Sequence, residues 1–258
     1  MNKLEIQNNR APYLFRYRSD NKNTIDELER NYIYFPNSEK LNDPFDANSD
    51  MLEFSRNPIE YQKLYEMLLS QIPNVSKEYF IKDFKNKPDK LYEFVNKMKE
   101  DFISQFGIAC FTMSEINLPL WSSYANNHQG LCIQYNIDFD HVFFKGLRKI
   151  DYFKKFEKIK YSPATDSGGF QEILFKKFYL WKNEYELRLI KTKTGEYKYN
   201  PLALRNIIFG LRATDNFKSQ IIDIVKKNYP HAKLYQPIIF KDTFEIAFQE
   251  LIINLNDK

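Results

Sequence analysis

Polar and apolar residues alternate from Glu184 onward in segment 181–191, WKNEYELRLIK. Because the side chains of a strand point alternately to its two faces, Glu184, Glu186 and Arg188 are predicted to share one face. Two glutamates one strand repeat apart repel each other, so at least one is expected to have a shifted pKa or to bind a cation or a polar ligand. The alternative for this segment is an exposed ladder of Glu and Arg side chains on a half-solvated sheet.

Three other segments combine polar side chains with aromatic rings. They contain Arg16, Tyr17 and Arg18; Asn42, Asp43 and Asp46; and Trp121, Ser122 and Tyr124. Trp and Tyr can stack on a planar ring, and arginines can hold a diphosphate by charge-assisted hydrogen bonds. A carboxylate can hold a ribose hydroxyl or stabilise an oxocarbenium-like centre. As a group these residues suit a nucleotide or sugar-phosphate ligand, whereas each one alone also has an ordinary structural role.

The sequence has none of the familiar phosphate-binding or nucleophile motifs. It contains no Gly-x-Gly-x-x-Gly, no P-loop and no serine in a nucleophile elbow. Its three histidines lack metal-ligand spacing, so we expect no metal site. A metal-dependent nuclease or hydrolase built on Asp43, Asp46, Glu184 and Glu186 therefore ranks last among the hypotheses.

Composition predicts a soluble, cytoplasmic protein. The chain has 258 residues and 43% hydrophobic content, which suits a single domain over 1–258 with a helical insertion at 57–105. Two cysteines give no disulfide framework, and neither a signal peptide nor a membrane-spanning run is recognisable. The net charge of +4 permits nucleic-acid binding without indicating it.

The elements that must position these residues are runs of strands with helices between them. Strands are predicted at 14–18, 32–35, 106–113, 131–135, 150–153, 156–161, 184–191, 206–211, 235–240 and 244–253. Because β and α segments do not alternate regularly, the pattern favours an α+β fold with mixed or antiparallel sheets.

Helices are predicted in five regions, one of which is a short helix and turn at 118–128. A capping box of Thr24 and Glu27 opens one helix, and another runs from about 213 to 228. Segment 170–180 is predicted to be a helix with Phe170, Ile173, Leu174, Lys177 and Phe178 along one side. The insertion contains three helices that start at Asn57-Pro58, Ser76 and Pro88, and the third is predicted to bury Leu91, Phe94, Val95, Met98 and Phe102.

Six segments together resemble a bacterial family catalogued as domain of unknown function 2971. They are LFRYRS at 14–19, LNDPFD at 41–46, ACFT at 109–112, LWSSYANNHQGLCI at 120–133, WKNEYELRLI at 181–190 and FGLRAT at 209–214. The resemblance covers about 13–253, and the family name implies little about function.

A looser resemblance is to the ADP-ribosyltransferase fold, which has Arg or His on a first strand, Ser, Thr or Tyr near a middle strand, and Glu on a later strand. This chain follows that order with Arg16 or Arg18, then Thr112 and Ser114 or Tyr124, then Glu184-x-Glu186. The resemblance implies a split sheet, nicotinamide adenine dinucleotide (NAD) as substrate, Glu186 as catalytic residue and Glu184 assisting. The chain departs from the pattern in lacking the Ser-Thr-Ser signature, in its large insertion and in Arg188.

The leading hypothesis is an NAD-dependent ADP-ribosyltransferase, a toxin or phage-defence effector whose acceptor is open. Arg16 or Arg18 would bind the diphosphate, Trp121 and Tyr124 would wall the nicotinamide, and Glu186 would stabilise the ribosyl cation. The rival hypothesis is a non-enzymatic binding or interaction module of a bacterial defence or stress system, with a protein partner. In the rival hypothesis the polar residues stabilise the fold: Asn42, Asp43 and Asp46 brace their loop, and Glu186 forms an internal ion pair with Arg188.

Overall fold

A computed structural model describes residues 13–54, 57–161, 169–243 and 245–252. Its helices are α1 Lys22–Glu29, α2 Pro58–Gln71, α3 Asn74–Phe84, α4 Pro88–Ser104, α5 Leu118–Ser123, α6 Gly169–Glu172 and α7 Asp215–Asn228. Its strands are β1 Tyr13–Arg18, β2 Tyr32–Phe35, β3 Leu52–Phe54, β4 Gly107–Thr112, β5 Leu131–Asn136, β6 Arg148–Lys149, β7 Asp151–Phe153, β8 Ile159–Tyr161, β9 Lys176–Phe178, β10 Glu186–Lys191, β11 Gly195–Lys198, β12 Leu204–Phe209, β13 Lys233–Phe240 and β14 Glu245–Leu251.

An eight-stranded sheet in the order β14-β13-β12-β5-β1-β4-β10-β6 organises the described chain. Strands β12 and β13 are parallel, and the other neighbouring pairs in this sheet are antiparallel. The predicted α+β class with a mixed sheet is confirmed. Within the described residues, no helix is long and apolar enough to cross a membrane.

One face of the sheet is covered by α1 and α7. Leu28 of α1 and Phe217 and Ile221 of α7 belong to the same hydrophobic core as Leu187 and Leu189 of β10. These leucines alternate with Glu186 and Arg188 along the strand, so the two charged side chains project from the opposite face. The chain therefore separates an apolar face from a face that carries charge.

The insertion forms three helices with a core of their own. That core contains Leu64 and Tyr65 of α2, Phe80 of α3 and Leu91 and Val95 of α4.

Helix α4 buries a face that is shifted from the predicted one. Met98 and Phe102 are 44% and 42% exposed, whereas Lys99 and Ile103 are buried. The apolar side chains extend more than halfway round this helix, so their spacing alone did not fix which edge packs. The second helix of the insertion also begins earlier than predicted, at Asn74 and not at Ser76.

Two further local predictions are wrong for reasons of tertiary contact. Helix α1 begins at Lys22, where the Asn21 side chain accepts a hydrogen bond from the Thr24 main chain. Glu27 does not complete a capping box, because its carboxylate binds Arg16 and the Tyr34 main chain.

Segment 170–180 is not one helix. It contains the end of α6, a 3-10 turn at Ile173–Phe175, strand β9 and the start of a 3-10 turn at Tyr179–Glu184. Three consecutive residues, Ile173, Leu174 and Phe175, are buried together, which an amphipathic helix does not achieve. Strand β9 then pairs with β7, a contact distant in sequence that helical spacing does not reveal.

Candidate functional site

Three central strands place one residue each in a row on the charged face of the sheet. Glu186 of β10 lies opposite Thr112 of β4, and Thr112 lies opposite Phe15 of β1. Directly opposed residues of antiparallel strands project from the same face. The row therefore brings a carboxylate, a hydroxyl and an aromatic ring to one side of the sheet.

Lys177 of β9 connects the two candidate glutamates. Its Nζ lies 2.5 Å from Glu184 Oε2, 2.8 Å from Glu186 Oε2 and 4.0 Å from Asp46 Oδ2. The Lys177 side chain is only 2% exposed, and its Nζ lies 5.0 Å from the centre of the Trp181 ring. A buried ammonium thus holds the carboxylates by short charge-assisted hydrogen bonds.

Arg188 holds Glu186 and Asp46 on the other side of the cluster. Its Nε donates to Glu186 Oε1 at 2.5 Å, and its Nη1 donates to Asp46 Oδ1 at 2.7 Å and to the Leu174 carbonyl at 2.8 Å. Its Nη2 also donates to Asp46 Oδ2. This bidentate pair is completely buried, so the alternative of an exposed Glu–Arg ladder is wrong, and the internal Glu186–Arg188 ion pair of the rival hypothesis is present.

Glu184 reaches the cluster from a turn and not from the strand. It ends the 3-10 turn Tyr179–Glu184, and Tyr185 follows in the left-handed region with φ of 48° and a 56% exposed side chain. The Glu184 carbonyl accepts a hydrogen bond from Thr112 Oγ1 at 2.7 Å, and its carboxylate accepts one from the Tyr124 hydroxyl at 3.4 Å. Strand β10 therefore begins two residues later than predicted, although both glutamate side chains still contact Lys177.

The two glutamates differ in acidity. Burial raises the pKa of Glu184, and this effect outweighs the nearby charge of Lys177. Burial alone would also raise the pKa of Glu186, but the charges of Arg188 and Lys177 outweigh it and lower that pKa to about 2. Glu184 thus holds a proton more readily than an ordinary glutamate, whereas Glu186 stays ionised.

These five charged side chains form a group that we call the charged cluster: Asp46, Lys177, Glu184, Glu186 and Arg188. The charged cluster contains three carboxylates and two cations. The Glu184 side chain is 11% exposed, whereas those of the other two acids are 4% and 0% exposed. Glu184 is therefore the acid best placed to carry the excess negative charge or a proton.

A pocket opens beside the charged cluster. It has a volume of about 50 Å³, enough for a few water molecules. Its lining consists of Phe15, Arg16, Tyr17, Cys110, Phe111, Thr112, Leu120, Tyr124, Glu184 and Glu186. The structure thus brings both glutamates together with Arg16, Tyr17 and Tyr124 of the predicted set, and it adds Thr112 and Phe15.

The guanidinium groups of the predicted diphosphate-binding arginines point away from the glutamates, although Arg16 contributes to the pocket wall. Arg16 and Arg18 both lie 3.0 Å from Glu27 Oε2, on the side of the sheet covered by α1. Leu14 shares this face, so the Arg16 side chain alternates with the pocket-lining ring of Phe15. Its guanidinium is consequently separated by the sheet from the glutamates that it was expected to assist.

Two of the three residues predicted around α5 serve the fold. Trp121 is 3% exposed, its Nε1 donates to the Glu115 carbonyl at 2.8 Å, and its ring stacks on His128 at 5.7 Å. Ser122 is exposed and donates to Asn127 Oδ1. Neither lines the pocket, whereas Tyr124, at the end of the same helix, does.

The Asp-Pro loop contributes one residue to the charged cluster. Asp46 binds Arg188, whereas the sequence assigned it to the polar candidate set, to the metal-dependent alternative and, in the rival hypothesis, to bracing its own loop. Asn42 is exposed. Asp43 is buried, its Oδ1 accepts from the Phe45 main chain at 2.9 Å, and it does not line the pocket. Within the described residues, no group of three His, Cys, Asp or Glu side chains is arranged to hold a metal ion.

Sequence reasoning missed Lys177, the residue at the centre of the charged cluster. The predicted helix at 170–180 placed this lysine among apolar side chains. A charge on an apolar face requires a partner of opposite sign, so that position was itself a signal of a buried ion pair.

No protein-family model, curated protein or solved structure matched this chain. The resemblances to domain of unknown function 2971 and to ADP-ribosyltransferases therefore stay predictions.

Proposed function

We propose that the pocket catalyses transfer or hydrolysis at an N-glycosidic bond of a nicotinamide nucleotide, with NAD as substrate. The observation that carries this proposal is the pair of glutamates with opposite pKa shifts at an aromatic-lined pocket. Paired carboxylates whose acidities are pushed apart are the usual means of performing acid–base and charge-stabilising roles in one site. A nicotinamide glycoside needs both roles, because its cleavage develops positive charge on the ribose.

Each glutamate has a distinct role in this scheme. Glu186 stays ionised at neutral pH and contributes negative charge near the developing ribosyl cation. Glu184, with its raised pKa and its contact to the Tyr124 hydroxyl, orients the acceptor and accepts its proton. The rings of Phe15 and Tyr17 offer apolar surface to the nicotinamide.

The pocket residues suit the nicotinamide ring better than the diphosphate, and the pocket, which has room for only a few water molecules, would have to widen to admit that ring. Arg16 and Arg18 bind Glu27, so the proposal assigns them to the fold and not to the ligand. The diphosphate would then lie outside the small pocket. Such an enzyme would suit a cytoplasmic toxin or phage-defence effector.

The decisive test measures nicotinamide release from NAD by the purified protein, together with the melting temperature (Tm) at increasing NAD concentration. A ligand that binds only the folded state raises the Tm. We expect both signals in the wild type and in the matched control Glu100→Gln, which changes an exposed glutamate of α4. We expect Glu184→Gln to keep the Tm shift and to lose most of the turnover. If the wild type gives neither release nor a Tm shift, the proposal is wrong.

A second candidate, a protein-interaction module, is favoured by apolar side chains around the pocket. Leu180 and Tyr185 are 74% and 56% exposed, and Ile116 is 54% exposed on the neighbouring loop. Asn117 Nδ2 donates to the Asn183 carbonyl at 2.5 Å, which holds the two segments together. If these side chains form one contiguous patch, they would mark an interaction surface. If the protein is such a module, NAD should not bind to it. Glu184→Gln should then change only the Tm.

A further inference from the structure

A second cavity lies between the helical insertion and the segments around β3. It has a volume of about 440 Å³ and is lined mainly by polar side chains of α4, of 48–54 and of 156–158. This size falls in the range of small-molecule sites, which is roughly 300–1,000 Å³. We call it the α4 cavity, and it shares no lining residue with the pocket at the charged cluster.

A largely buried lysine faces the α4 cavity, and within the described residues its one ionic contact is a long one. Lys99 is only 8% exposed, and its ammonium lies 3.6 Å from Asp50 Oδ1, which is beyond hydrogen-bond distance. The Asp50 side chain is itself 74% exposed, so it offers weak compensation. An ammonium carries three donors, and a buried charge is costly unless those donors are used. The position of Lys99 therefore suits an anionic group that enters from the cavity.

The rest of the lining suits hydroxyl groups. Asn48 and Asn96 can both donate and accept hydrogen bonds, and the carboxylates of Asp50 and Glu53 can accept them. Lys158 brings a second positive charge to the wall of the cavity. The lining thus carries two ammonium groups and two carboxylates, so an anionic group is expected at the lysines and hydroxyl groups are expected at the carboxylates and amides.

We propose that the α4 cavity binds a small polyhydroxylated anion, a sugar phosphate or a sugar acid, whose charged group pairs with Lys99. The proposal is independent of the chemistry proposed for the charged cluster. It gives the helical insertion a ligand-binding role through the buried face of α4.

Calorimetric titration of the full chain tests this site with four probes: ribose phosphate, gluconate, ribose and inorganic phosphate. We expect ribose phosphate or gluconate to bind saturably, and more tightly than either ribose or inorganic phosphate. The stronger of the two identifies the anionic group as phosphate or carboxylate. Equal binding of inorganic phosphate and ribose phosphate would contradict the role of the hydroxyls and overturn the proposal.

Variants locate the ligand. Lys99→Met removes the buried charge and is expected to weaken binding by about ten- to a hundredfold, the range for a charged hydrogen bond. Lys158→Gln changes an exposed lysine and is expected to weaken binding severalfold. If Lys99→Met fails to fold, Lys158→Gln alone tests whether the ligand binds in the α4 cavity. Lys97→Met is the matched control on the exposed side of α4 and should bind with wild-type affinity. Absence of saturable binding, or wild-type affinity in Lys158→Gln, would overturn the proposal.

Discussion

Removing Lys177 should destabilise the protein strongly, because it leaves buried carboxylates without their shared partner. The lysine is 2% exposed and lies within 2.8 Å of both Glu184 and Glu186. Removing one member of a buried ion pair costs about 3–5 kcal/mol in the free energy of unfolding. For a chain of this size, such a loss lowers the Tm by ~6–20 °C.

The assay is chemical and thermal unfolding of Lys177→Met beside Lys155→Met, which changes an exposed lysine. The pH dependence supplies a second criterion. The folded-state pKa of Glu186 is about 2, below its usual value, so its ionised form stabilises the fold at neutral pH and this contribution is lost as the pH falls toward 2. Without Lys177 that depression is smaller, so the stability gap between wild type and variant should narrow as the pH falls below about 4.

Two results would refute this reasoning. A loss below about 1 kcal/mol would mean that the lysine forms no effective buried pair, since that is the magnitude of an exposed one. A gap that stays constant from neutral pH to about pH 3 would mean that the carboxylates do not titrate against Lys177.

Three further predictions concern the two glutamates and the glycine before β5. Glu186→Gln should lose about 3–5 kcal/mol of unfolding free energy in a denaturant titration, because it removes a buried ionised partner. Glu184→Gln should have a Tm at neutral pH no lower than that of the wild type. The reason is that the folded-state pKa of Glu184 is raised, so ionising this carboxyl opposes folding at neutral pH. The wild type should therefore become more stable relative to Glu184→Gln as the pH falls through that pKa. Gly130→Ala should cost about 1–3 kcal/mol by thermal unfolding, because its Cβ would lie 2.0 Å from the Arg18 carbonyl oxygen.

Much of the sheet was predictable because its strands carry their own pattern. Strands β1, β2 and β5 and helix α7 lie within two residues of their predicted bounds. In each of them local spacing and burial agree, as with Phe217, Ile221 and Val225 on the inner side of α7. Segment 170–180 was not predictable in this way, because pairing of β9 with β7 and burial of Lys177 depend on residues distant in sequence.

The candidate site was predictable in its acids but not in its cations. Glu184 and Glu186 could be recognised from spacing, and their strand partner Thr112 lay near the expected middle position. The face on which an arginine projects, however, depends on strand register. Arg16 has the parity of the apolar residue Leu14, and this parity directs it toward α1 and away from the glutamates.

The excess carboxylate of the charged cluster gives the pocket a preference between ligands of different charge. When Glu184 is ionised, the cluster is net negative, and an organic cation beside Tyr17 and Tyr124 gains both charge attraction and contact with aromatic faces. A cationic pyridinium such as N-methylnicotinamide should therefore bind more tightly as the pH rises through the raised pKa of Glu184. Neutral nicotinamide fits the same rings without that attraction, so its affinity should stay constant over the same range. In Glu184→Gln the affinities for N-methylnicotinamide and for nicotinamide should both be independent of pH. If the affinity for N-methylnicotinamide still rose with pH in this variant, the excess charge would lie on another acid.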